Sequence, residues 1–238
     1  MSPLDAIRPR IVNQTIRYPH QLYGHNQSTL KPLNAVVIDI METVASMIQD
    51  PQVVGSNLEN YIFEYTPEFN AEGERTFGNV TSAFWFKKTL ANIRSKWGND
   101  VNILVLNLST DKTQVDRLQG QTVWPCYITI MNLIGKIRRT SKGSELIGYC
   151  PIVPYSKRKL KEKLQEQYGV LRDSDNVSRI TKIHTEQAFI AAVVEPLKRI
   201  EETGPVLLRY GKGAASRVCK TMPLMMCFCC KFIFQNSF

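Results

Sequence analysis

The spacing of apolar residues changes period several times along the chain, and each change marks an element. From Asn34 onward, Val36, Val37, Ile40, Val44, Met47 and Ile48 fall on one helical face. With Asn34 as cap and Pro51 just past the end, this spacing predicts a first helix. A second is predicted from about Thr81 to Trp97, burying Phe86, Leu90, Ile93 and Trp97, with Gly98 as its stop. The period then switches. VNILVLNL (101–108) is a nearly continuous apolar run with β-branched residues, as expected of a strand buried on both faces. VWPCYITIM (123–131) and ELIGYCPIV (145–153) predict two more strands, NYIFEY (60–65) a short one, and 66–79 a loop. Beyond Pro154 a basic helix, KRKLKEKLQEQY (157–168), ends at Gly169. A longer helix from about Lys182 to Thr203 carries Ile183, Ile190, Val194, Leu197 and Ile200, with a kink expected at Pro196, which lacks a backbone donor. PVLLRY (205–210) predicts a fourth strand, followed by a Gly-rich turn and an apolar tail.

The first 34 residues carry Pro3, Pro9, Pro19 and Pro32 and few periodic apolar positions, which predicts an extended or poorly ordered arm. The chain then divides into this arm (1–34), a helical region (35–99), a core (100–221) and an apolar tail (222–238). Three strands, a helix and a fourth strand is the order in which an RNase H-like sheet begins, although several α+β folds share it. The fold class expected is therefore α/β (α+β), an incomplete RNase H-like core with a mixed sheet and flanking helices.

Composition narrows the class without choosing a function. At 238 residues, 43% hydrophobic and 21% charged, the chain reads as globular, not disordered, collagenous or a disulfide scaffold. It has no apolar run of about 18 residues and no apolar signal-peptide core near Met1, so an intracellular protein, nuclear or cytoplasmic, with reduced cysteines is expected. The net charge of +9 points to a polyanionic partner. It is concentrated in two blocks, +7 over residues 136–163 and +5 over 203–238, and no Asp or Glu follows Glu202.

Asp111 follows directly on the most apolar strand. A rigid strand end is where sheet enzymes hold metal-binding carboxylates. Local pattern alone favours the plainer reading, a turn Asp in Ser-Thr-Asp-Lys. Lys136, Arg138, Arg139 and Lys142 lie between strands, and Lys157, Arg158, Lys159, Lys161 and Lys163 on a helix; such charges suit phosphate contacts. The helical set reads equally well as a solvated face or a nuclear-import signal. Arg138 and Arg139, in an expected tight hairpin, are the stronger candidates for DNA contact. Cys219, Cys227, Cys229 and Cys230 do not match zinc-ligand spacing, and Cys126 and Cys150 read as core. His20, His25 and His184 have no partner spacing, and GKG (211–213) is not a phosphate-binding loop of the GxxxxGK[ST] type.

The run STDKTQVDRLQGQTVWPCYITIMNLIGKIRRTSKGSELIGYCPIV (109–153) resembles the Plavaka-type transposases of fungal CACTA-like transposons. The positions that carry the resemblance are Asp111, Lys112, Thr113, Trp124, Pro125, Tyr127, Asn132, Arg138, Arg139, Gly148, Tyr149 and Pro151. It extends more weakly through 49–54, 73–86 and 195–204, covering roughly residues 45–220. The resemblance implies an RNase H-like core that cuts and joins DNA, in which three acidic residues hold two Mg2+ or Mn2+ ions about 3.5–4 Å apart. It places Asp111 at the first acidic position, as ancestral catalytic residue and metal ligand, and Lys112 beside it as a DNA contact.

The same resemblance shows departures. An Asp-Gly pair is expected just after the fourth strand, and here the slot reads Arg209-Tyr210-Gly211, with Tyr210 in place of the carboxylate. A later Asp-x-Pro-Glu-Gln motif is replaced by PLMMCFCCKFIFQNSF (223–238), which contains no acid and reads as a non-family tail. One carboxylate cannot hold two metals, so no metal cofactor is expected to serve this chain alone. The expectation is a catalytically inactive, truncated and degenerate transposase with weak to moderate nonspecific DNA affinity and no membrane association. The alternative is a domesticated, non-catalytic DNA-binding or protein-interaction module on the same scaffold. A split enzyme, with its remaining acids on another polypeptide, ranks third. Without a fifth strand, one edge of the central strand is expected to stay uncovered.

Overall fold

The computed structural model describes residues 11–16, 33–110, 113–114, 122–152, 158, 162, 165, 174–213 and 216–226. In chain order the strands are β1 (Ile11–Ile16), β2 (Leu33–Ile38), β3 (Glu68–Phe69), β4 (Arg75–Thr76), β5 (Asn102–Thr110), β6 (Thr113–Gln114), β7 (Thr122–Val123), β8 (Pro125–Ile130), β9 (Ser144–Tyr149), β10 (Val206–Tyr210) and β11 (Arg217–Met226). The helices are α1 (Ile40–Met47), α2 (Pro51–Val54), α3 (Phe84–Trp97), α4 (Gly135–Arg138) and α5 (Ser174–Thr203). Seven strands form one mixed sheet in the order β1-β2-β9-β8-β5-β11-β10, in which only β5 and β11 run parallel.

The apolar run that predicted a doubly buried strand becomes β5. Leu104, Leu106 and Leu108 join the large core with α1 and α5, whereas Ile103 and Val105 pack under Phe86 and Leu90 of α3. All five β5 residues are completely buried, which is what a strand covered on both faces requires. Helix α3 begins slightly later than its periodicity implies, after a 3₁₀ turn at Val80–Ser82. It stops at Gly98, whose φ of +106° only glycine adopts readily. Helix α5 begins earlier than expected, runs on through Pro196 and buries Phe189, Ile190, Val193, Val194, Leu197 and Ile200.

Six local expectations are corrected. Residues 33–38 form β2, not the first turn of a helix. The run Val36-Val37-Ile38 favours a pleated strand, and Asp39 restarts the chain as a helix cap by accepting from the N–H groups of Met41 and Glu42 at 2.9 and 3.0 Å. Pro51 does not follow that helix directly. It opens α2, where its missing N–H costs nothing, behind the Asp50 cap. Part of the N-terminal arm, Ile11–Ile16, pairs with β2 as the edge strand β1. The 60–65 segment contributes only one bridge, Tyr61 to Leu133, and the expected loop at 66–79 contains the β3–β4 hairpin. The segment between β8 and β9 is a short helix and a 3₁₀ turn, not a tight hairpin.

The largest correction concerns the end of the chain. The expected fourth strand, β10, lies at the sheet edge, and the position beside β5 is taken by β11. Arg217–Thr221 pair with β10 on one side and Thr221–Met226 with β5 on the other, so the edge expected to be bare is covered. Pro223 lies beyond the end of β10, where one edge of β11 is open, the place in a sheet where a missing N–H is tolerated. Thus the first part of the apolar tail, with Met222 and Pro223 buried, is a core strand. Among the described residues, no helix is long and apolar enough to cross a membrane.

Candidate functional site

The C-terminal end of β5 is where the resemblance puts the first carboxylate. Ser109 and Thr110 pair with Tyr127 and Cys126 of β8. The Trp124 indole N–H donates to the Thr110 hydroxyl at 2.7 Å, and the Cys150 N–H donates to the Trp124 carbonyl at 2.8 Å. Three segments therefore fix the point from which the chain leaves the strand. Asp111 and Lys112 come next and lie outside the described residues.

Tyr210 is the residue that the resemblance puts at the second acidic slot. It ends β10, two strands from β5, and is completely buried. Its ring stands edge-on to Tyr61 and Phe63, with centroids 5.4 and 5.6 Å away. Its hydroxyl lies 3.3 Å from that of Thr221, which is also completely buried. Burial pushes the phenol far above its ordinary range, so it stays neutral. Mg2+ and Mn2+ take hard, anionic oxygens. A neutral phenol inside an aromatic cluster does not fit that role, and Tyr210 is a packing residue of the core. Among the described residues, no three His, Cys, Asp or Glu side chains converge to hold a metal.

The basic residues divide into those that hold the fold and those that face solvent. Arg138, a leading candidate for DNA contact, is half-buried, and its Nη1 donates to the carbonyl of Met131 at 3.1 Å and, at a longer 3.5 Å, to that of Leu133. It clips together the turn that carries it, because those carbonyls need donors. Lys136 and Arg139 are exposed on either side of it. The Lys142 ammonium lies 2.9 Å from the Asp50 carboxylate and its side chain is half exposed. Burial alone would raise the Asp50 carboxyl, but the Lys142 hydrogen bond, the Gln52 N–H and the charges of Lys142 and Lys212 hold it below its ordinary range. Lys212, from the Gly-rich turn after β10, therefore shares this surface with Lys142. Nothing in the local sequence pattern could pair residues so far apart. Arg158 pairs with Glu162 one helical turn away at 2.8 Å, and both are well exposed. Lys157 and Lys159 lie outside the described residues, as do Cys227, Cys229 and Cys230.

Two further positions of the 109–153 run have structural duties. Asn132 is completely buried: its side-chain oxygen accepts from the Val105 N–H at 2.7 Å, and its amide donates to the carbonyls of Ile62 and Ile103 at 2.8 and 3.0 Å. It joins β5 to the two segments that cross below it. Gly148 brings β9 against β2 so closely that a Cβ there would lie 2.5 Å from the Val36 carbonyl oxygen.

The sequence model of the Plavaka transposase matches residues 2–229. The match runs through β11 and ends at residue 229, eight residues into the 222–238 tail. No curated protein and no solved structure matches the chain. The matched span is nearly the whole sequence, and the chain belongs to the Plavaka transposase family.

Proposed function

We propose that this chain is a transposase-derived protein that no longer cuts DNA and retains weak, nonspecific affinity for it. The observation that carries the reading is Tyr210. Where the resemblance calls for the second metal-binding carboxylate, this chain has a buried, neutral side chain packed against Tyr61 and Phe63. Asp111, left as the first acidic position of an RNase H-like arrangement, cannot alone balance two divalent ions. Exposed Lys136 and Arg139, with half-exposed Lys142 and nearby Lys212, form the surface that would meet phosphates.

The covered edge of β5 favours a stable non-catalytic DNA-binding or interaction module over a collapsed relic, because β11 pairs with β5 and contributes Met222 to the core. Each phosphate contact contributes close to one unit to the slope of log affinity against log salt, about 0.9 for duplex DNA. Anisotropy of a labelled duplex over a salt series should therefore show a shallow slope for the intact chain. Joint replacement Lys136→Ala/Arg139→Ala/Lys142→Ala should lower it by about 2–3 units, while Arg138→Ala should leave it unchanged and lower stability. An intact-chain affinity that does not vary with salt would sink the DNA-binding part of the reading. Calorimetric titration with Mn2+ addresses the other part: saturable binding that vanishes in Asp111→Ala would contradict it.

A further inference from the structure

The β3–β4 hairpin and the first turn of α3 expose an unusual number of aromatic rings. Phe69, Phe77 and Phe84 are each more than 60% exposed. Phe77 and Phe84 are held by Arg75, whose guanidinium lies 3.7 Å over the Phe84 ring and 5.2 Å from that of Phe77, and Phe69 is its partner across the hairpin ladder. That guanidinium is itself fixed by donating to the Tyr65 hydroxyl at 2.6 Å and the Ser82 carbonyl at 2.7 Å. Exposed rings clamped in one arrangement lose little freedom on docking, and contiguous apolar patches of this kind mark interaction sites. None of these residues belongs to the DNA-facing set described above.

Apart from Glu68, whose carboxylate accepts from the Gly78 N–H at 3.1 Å, the charge around the patch is polarised. Phe69 pairs with Arg75 in the hairpin ladder, so the turn carrying Glu72 and Glu74 lies beyond that pair, at the end away from the helix. At the other end, Lys87 and Lys88 are exposed in the opening of α3, with Lys87 5.3 Å from the Tyr65 ring. Helix α3 has no acidic residue in its first turn, and Ala83 makes no side-chain cap. Lys87 and Lys88, the fourth and fifth residues of α3, add their positive charge to that of the uncapped helix start, and this end favours an acidic partner. A polyanion would be drawn to the lysine end and repelled at the glutamate end. A second copy turned by a two-fold axis through the aromatic centre satisfies both ends at once, since each acidic turn then faces the other copy's lysines.

We infer that this patch is a self-complementary dimer interface, with the aromatic rings at its centre and Glu72/Glu74 of one copy opposite Lys87/Lys88 of the other. Sedimentation equilibrium of the full chain should show a concentration-dependent monomer–dimer equilibrium. Phe77→Ser should weaken it by about tenfold or more, with the far-ultraviolet circular dichroism unchanged. The charge-reversed chains Glu72→Lys/Glu74→Lys and Lys87→Glu/Lys88→Glu should each dimerise poorly alone and recover when mixed in equal amounts, because only the mixed pair restores both contacts. A chain that stays monomeric at every concentration overturns the inference, as does a mixture that fails to recover. Loss of single-stranded oligonucleotide binding in Phe77→Ser, with self-association unaltered, would overturn it in favour of a base-stacking surface.

Discussion

Replacing Tyr210 with aspartate restores the carboxylate that the family resemblance calls for, and the consequence depends on what the site is. At a solvated active-site edge the change is mild. In the structure described here, the new side chain enters a completely buried position and removes a ring edge-on to Tyr61 and Phe63. Truncating a buried aromatic costs about 3–5 kcal/mol. The introduced carboxyl must also stay protonated or be buried charged, adding about 1.4 kcal/mol for each unit by which burial raises its pKa above the pH-independent reference. A loss of about 5 kcal/mol or more at neutral pH is comparable to the whole stability of many domains, about 5–15 kcal/mol. Tyr210→Phe separates packing from polarity. It removes only the long contact with Thr221 and should cost about 0.5–1.5 kcal/mol.

Urea unfolding followed by circular dichroism at several pH values provides the assay. The introduced acid has a folded pKa above its unfolded value, so its extra penalty is absent below the unfolded pKa, about 3.9, and grows as pH rises toward the folded pKa. Tyr210→Asp should therefore lie closest to the intact chain in acid and fall furthest below it at neutral pH. A loss under about 1 kcal/mol that does not vary with pH would refute the placement of Tyr210 in the core.

Other consequences follow from single side chains. Asn132→Ala leaves the Val105 N–H and the Ile62 and Ile103 carbonyls without their partner, and should cost about 3 kcal/mol in the same unfolding assay. Gly148→Ala forces a methyl to within 2.5 Å of the Val36 oxygen; a penalty of about 1–3 kcal/mol and faster amide exchange across β2 and β9 are expected. Burial raises the Glu186 carboxyl above its ordinary range. The ionised form is thus disfavoured in the fold, and Glu186→Gln should raise the melting temperature at neutral pH while leaving it unchanged below about pH 4, where both states are protonated.

Much of the fold was legible because its pattern is local. The continuous apolar run of 101–108, the alternation around Ile128 and Ile130, and the helical spacing of Phe86 and Leu90 each report burial within a few residues of themselves. The misses share a cause. Val36, Val37 and Ile40 satisfy a helical face and a strand followed by a capped helix about equally well, and the choice is made by pairing with β1 and β9. Residues 217–226 read as the approach to an apolar tail because their partner, β5, lies more than 100 residues earlier in the chain. The paired arginines look equivalent in sequence, but the fold separates them: Arg138 is half-buried and donates to the carbonyls of Met131 and Leu133, and Arg139 is left to solvent. Lys212 escaped notice for the same reason as β11, since only the folded chain brings it near Asp50 and Lys142.

Catalytic silence is the claim on which the account turns, and nicking of supercoiled plasmid tests it most directly. The intact chain and Asp111→Ala are incubated with Mg2+ or Mn2+ and the relaxed product is measured. No metal-dependent nicking by the intact chain and no difference between the two proteins are expected. Nicking by the intact chain that requires the metal and disappears in Asp111→Ala would contradict the claim.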